Sequence, residues 1–154
     1  MAGESVGLQG QIHMVLRDRF GFIKEERLTP NLVVTDGKEE VARLIGGQSG
    51  DAFTHVAIGI GVGAAAAGDT TLGSEITSAG GERAAASISI TTVSASNDTA
   101  QFVTSYSFTD TFAVTESGVF NSSASGDLLC RQTFSALNVN NGDSLTVTWK
   151  ITVG

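Results

Sequence analysis

The chain has 154 residues, with nine Lys/Arg against 16 Asp/Glu and a net charge of −7. Hydrophobic residues make up 41% and charged ones 16%, enough apolar material for one core and too much for global disorder. One Cys and two His leave no disulfide framework and no Cys-rich zinc site, and the acidic balance argues against a nucleic-acid partner, whose phosphates are bound by Lys and Arg.

Charge is unevenly spread: residues 1–50 carry a net of −1, residues 51–154 a net of −6. Ser and Thr, 33 in all, and 19 Gly supply most of the remaining polar and turn-forming surface. No run approaches the roughly 18 apolar residues of a membrane span, so no membrane association is expected. The opening MAGESVGLQGQIH lacks the basic and continuous apolar regions of a signal peptide, so the chain is expected to remain in the cytoplasm where it is made or to enter an assembly there. Asn97 and Asn121 match the glycosylation pattern but read as turn residues.

In chain order, residues 1–10 read as a flexible arm, with three Gly and no apolar periodicity. Ile12, Met14 and Leu16 then alternate at strand period, Asp18–Gly21 form a turn, and residues 11–28 read as a hairpin that Pro30 ends. Asp36 and Glu39 have the spacing of a capping box, and Val41, Leu44 and Ile45 fall on one helical face. The helix of about nine residues ends at Gly46-Gly47 and is too short to stand alone, so that face is expected to pack.

From Gln48 onward the pattern is β. Strand candidates are 53–60, 84–93, 101–108, 112–120 and 128–134, and 145–153 with Leu145, Val147, Trp149, Ile151 and Val153 at strict period two. Residues 61–81 are Ala/Gly-rich and read as a long loop across one end. The expected architecture is mainly β, one compact domain: an arm (1–10), a β-hairpin plus short α-helix (11–47) and an antiparallel β-sandwich (48–154).

Candidate chemistry is sparse. Gly59-Ile60-Gly61-Val62-Gly63-Ala64 matches the dinucleotide fingerprint in letters only, because Gly68-Asp69 stops any helix that would face a pyrophosphate. A strand leaving into a loop with unusual backbone angles is the better reading. No Ser lies in a nucleophile elbow. His13 and His55 read as a half-buried strand residue and a surface residue. Glu116 lies in a strand of small and apolar residues; it points outward, or pairs with an Arg such as Arg83 or Arg131. Cys130 reads as a small buried hydrophobe. No catalytic residue, metal site or cofactor is expected. Arg17, Arg19, Lys24 and Arg27, offset by Asp18, Glu25 and Glu26, make a mixed-charge hairpin that suits a protein interface or plain solvation. Phe20 and Phe22 flank its turn, as a contact patch if exposed or as packing for the helix.

A fixed order of segments carries a resemblance: Asn31–Gly37 into the helix, Phe53–Gly59, Asp69-Thr70-Thr71-Leu72 with Glu75 and Arg83, Val114–Phe120, Leu128–Phe134 and the final strand. This order resembles small virion proteins of tailed bacteriophages. It also resembles the N-terminal attachment module of some phage tail fibres, whose pattern is TH-x-A-x-G, TTL, E, R, E-x-G-x-F. A fibre would continue far beyond this module, whereas this chain stops at Gly154. The resemblance therefore implies a capsid decoration (cement) protein on the outer head surface, non-enzymatic, bridging major capsid proteins, and a homo-oligomer, most often a trimer. The alternatives are a tail, neck or baseplate adaptor, and a small carbohydrate- or ligand-binding β-sandwich. Arg17, Arg19, Phe20, Phe22, Lys24 and Arg27 are the expected interface.

Overall fold

The computed structural model describes Gly3 and residues 5–154. Among these the chain forms β1 (Leu8–Arg17), β2 (Ile23–Pro30), β3 (Leu32–Val33), α1 (Thr35–Ile45), β4 (His55–Gly59), β5 (Ala84–Ala85), β6 (Ser87–Thr91), β7 (Thr99–Ser107), β8 (Phe112–Phe120), β9 (Leu128–Val139) and β10 (Ser144–Val153). Two five-stranded sheets result, in the orders β2-β1-β10-β7-β6 and β3-β9-β8-β4-β5, with antiparallel pairing throughout. They pack face to face as a β-sandwich.

Alternation decides which face is buried. Leu145, Val147, Trp149 and Ile151 of β10 point inward beside Ile12, Met14 and Leu16 of β1, with Ile12 opposite Trp149 and Met14 opposite Val147. Val153, the fifth apolar residue of the β10 alternation, is half-exposed at the strand's end. The polar atoms of the large aromatics find partners inside: the Trp149 indole N–H donates to Ser117 Oγ (3.1 Å) and the Tyr106 hydroxyl to the Val56 carbonyl (2.7 Å). Leaving either group unpaired in the interior would cost its full desolvation.

The hairpin comes first in the chain and is itself part of the sandwich. β1 pairs along its whole length with β10, so the hairpin supplies two of the five strands of its sheet. The arm expected over residues 1–10 is likewise shorter, because Leu8–Gly10 already belong to β1 and Gly7 exchanges backbone hydrogen bonds with Gly154 (2.6 and 2.9 Å). Met1, Ala2 and Glu4 of that arm lie outside the described residues.

The helix exists but turns a different face inward. Gly37 and Glu40 are its buried residues and Val41 is half-buried, while Leu44 is exposed and Ile45 is 83% exposed. Its axis is drawn close to β9 at Gly37, where a Cβ would collide with the Leu129 backbone. The expected capping box is also absent. Val34 is the N-cap and has no side-chain cap bond, and the Asp36 carboxylate accepts from the Leu128 N–H (3.3 Å).

Strand β8 is buried on both faces from Val114 to Phe120. Its second face is covered by the segment between β4 and β5, the long loop expected from composition. A second apolar cluster of Val34, Ala57, Leu72, Phe120 and Leu128 lies there, outside the main core. The molecule thus has a third layer of loop and helix over one sheet.

Candidate functional site

Two places concentrate polar or aromatic side chains with defined geometry. The first lies where the loop crosses β8. Glu116 has no solvent exposure and neither points outward nor stands unpaired. Its Oε1 accepts from the backbone N–H of Gly61 (2.9 Å) and Ser74 (2.7 Å), and its Oε2 from Gly73 (2.9 Å) and from Arg131 Nε (2.9 Å). Burial pushes the carboxyl's pKa up, but these donors outweigh it and hold it below the usual carboxylate range.

Arg131 is equally saturated. Its guanidinium donates to Glu116, to Asp69 Oδ2 (2.7 Å) and to the Gly63 carbonyl (3.0 Å). Asp69 is lowered as well: burial opposes its charge, and the Ala66 N–H and Arg131 more than compensate. A neighbouring pair repeats the motif. Arg83 chelates Glu75 through Nε (2.9 Å) and Nη2 (2.7 Å), donates to the carbonyls of Ser122 and Ser125, and lies 3.6 Å above the Phe120 ring.

Two glycines of the letter-level dinucleotide fingerprint, Gly59 and Gly61, have their reason here. None of Gly59, Gly61 or Gly63 has a positive φ, so unusual backbone angles are not what they supply. Gly59 and Gly61 supply room, because a Cβ on either would strike the Glu116 carboxylate, whereas one on Gly63 would meet nothing within 4 Å. The segment opens no helix, and its Gly61 N–H faces Glu116. Every oxygen of Glu116 and every nitrogen of Arg131 is committed within the chain, so the cluster acts as a clamp on the loop.

The second place is the tip of the β1–β2 hairpin. Asp18 Oδ1 accepts from the backbone N–H of Phe20 (2.8 Å) and Phe22 (3.0 Å), and Gly21 adopts a φ of +86° that favours glycine. This compact turn holds Phe20 at 73% and Phe22 at 72% exposure, with Ile23 beside them also exposed. The Arg19 guanidinium lies 5.1 Å from the Phe20 ring centroid. The aromatics therefore face solvent and do not pack on the helix.

The basic residues expected at the interface divide into two groups. Arg17 and Arg19 stay at the tip, with Arg17 donating to the Gly21 carbonyl (3.4 Å). Lys24 is bound to Asp143 (2.6 Å) and Arg27 to Ser135, the Ala136 carbonyl and Glu25. These last two tie β2 to neighbouring parts of the chain.

Of the remaining candidates, His13 is bonded to Glu26 (2.7 Å) and the His55 ring to the Thr54 hydroxyl (2.8 Å). Cys130 is buried, and burial pushes its thiol pKa far up. Trp149, Tyr106 and Phe102, Phe108 and Phe120 are interior; Phe20 and Phe22 are the strongly exposed aromatics. Among the described residues, no three His, Cys, Asp or Glu side chains are placed to hold a metal ion, and no helix is long and apolar enough to cross a membrane. The chain matches no family model, no curated protein and no solved structure.

Proposed function

We propose that this protein is a non-enzymatic structural protein of a tailed-phage virion, and that it acts as a decoration protein on the outer head surface, contacting major capsid proteins. The class rests on the order of sequence segments described above. The observation that carries the contact role is the hairpin tip, where two aromatic rings and an Ile are held in solvent by a turn that is already organised. Exposed aromatics flanked by Arg are the side chains that supply most of the energy in protein interfaces, and a rigid turn loses little entropy on docking. The buried acids and Arg131 satisfy one another and leave no group free for general acid–base work.

The test is made on particles. Heads assembled without the chain are expected to lose resistance to heat and low salt, and the purified protein is expected to restore it. Phe20→Ala/Phe22→Ala is expected to stay folded yet fail to restore it. Equal resistance with and without the protein would overturn the decoration role, and density for the chain at the tail or baseplate would move it to an adaptor.

A further inference from the structure

We propose that strand β6 is a self-association edge, through which two copies of this chain pair antiparallel about a two-fold axis at Ser89 and join their sheets into one. This inference does not rest on the virion reading.

The two edges of the same sheet are built differently. Edge β2 reads Ile-Lys-Glu-Glu-Arg-Leu-Thr-Pro; four consecutive charges, a proline and a register shift at Leu16/Arg17 protect it against pairing with another chain. Edge β6 has none of these. From Ala84 to Asn97 there is no charged residue and no proline, and among the described residues no strand lies beyond β6 in its sheet. Four of its five residues are exposed.

The side chains alternate Ser87, Ile88, Ser89, Ile90, Thr91. Ile88 pairs across from Phe102 and Ile90 from Ala100, so both lie on the face of the sheet that Phe102 turns into the core. They are nevertheless 47% and 60% exposed. In the opposite sheet the last strand, β5, has only two residues. Ile90 borders the same opening as Phe53 and Phe102.

This strand is complementary to itself. Antiparallel pairing centred on Ser89 sets Ile88 of one copy opposite Ile90 of the other, and Ser87 opposite Thr91. The isoleucines meet on the core side, Ser87, Ser89 and Thr91 lie on the opposite face, and the contacts are symmetric, as an isologous interface requires. Charge favours the same surface. Two copies that each carry −7 repel one another, and a neutral edge lets them meet without setting like charges opposite. The paired segment is short, which places the dimer among small, concentration-dependent interfaces.

Sedimentation or light scattering over a concentration series tests this. The wild type is expected to move from one to two chain masses as concentration rises. Ser89→Lys and Ser89→Glu each set two like charges face to face at the axis. Both are expected to remain monomeric while keeping the wild-type circular dichroism and melting temperature, because Ser89 is exposed. An equimolar mixture of the two variants is expected to recover the dimer. Ser89→Cys, with Cys130 buried, is expected to form a disulfide-linked dimer under mild oxidation. A wild type that is still monomeric at about 1 mM would overturn the proposal and leave the edge to a strand from another protein. A trimer whose mass Ser89→Lys does not change, or a mixture that stays monomeric, would overturn it equally.

Discussion

Glu116 keeps a full charge in the interior because four N–H donors replace the water it lost, one of them from a guanidinium that is itself saturated. Removing one partner of such a pair strands the other, at a cost of about 3–5 kcal/mol. Glu116→Gln turns an NH2 group toward backbone donors and is expected to destabilise the fold by an amount in that range, measured by urea unfolding. Gly61→Ala is expected to act on the same site by volume alone, since its Cβ would enter the space of the Glu116 carboxylate. Overpacking of this kind costs about 1–3 kcal/mol, readable as a lower melting temperature. The pairing of Glu116 with Arg131 was one of the alternatives legible in the sequence. Its backbone donors were not, because Gly61, Gly73 and Ser74 are 42 to 55 positions away from Glu116 and only the folded loop brings them together.

At the scale of elements, the helix shows where periodicity misleads. Val41, Leu44 and Ile45 have the spacing of a buried face, yet the structure presses Gly37 against the sheet and buries Glu40 against the Asp51 N–H and Arg43, because a glycine lets the helix approach β9 more closely than any side chain would. Ile45→Lys is therefore expected to change stability by no more than about 0.5 kcal/mol, as for an ordinary surface position. Gly37→Ala is expected to lower the melting temperature clearly, since the collision is with backbone that cannot rotate away. The hairpin shows the opposite case. Its strands, its turn at Asp18–Gly21 and its end at Pro30 all follow from local chemistry. What local chemistry leaves open is whether Phe20 and Phe22 pack or protrude, which depends on the helix lying elsewhere.

For the whole molecule, the carboxylates bound by the fold set its response to acid. Glu116, Asp69 and Asp143 all sit below the ordinary carboxylate range; at Asp143 burial opposes the charge, and Lys24 and the Asn140 N–H reverse it. A carboxylate with a depressed folded pKa contributes stability that is complete above its unfolded value and is lost as pH falls through the folded one. The melting temperature is expected to be flat near neutrality and to drop below about pH 4. Glu116→Gln is expected to start lower and to show a shallower drop, since one of the titrating groups is gone.

The segments on which the virion resemblance rests also acquire a physical meaning at this scale. Asp69, Leu72, Glu75, Arg83, Glu116, Phe120 and Arg131 are distant in the chain, yet they form one contiguous region where the loop is clamped to the sheet. They build the scaffold, while the proposed contacts lie at the hairpin tip and the β6 edge, outside that pattern.

The sequence by itself determined the β class, most of the strands, the short helix and the long loop, because alternation, glycine pairs and turn residues act over a few positions. It also determined that Trp149 and its β10 neighbours form core. Tertiary structure alone decided that the hairpin belongs to the sandwich, which face of the helix is buried, why Gly59 and Gly61 must be glycine, and which sheet edge is left unprotected. Each of these depends on which distant segments share a space, and a pattern read along one strand or one turn holds no information about what lies across from it.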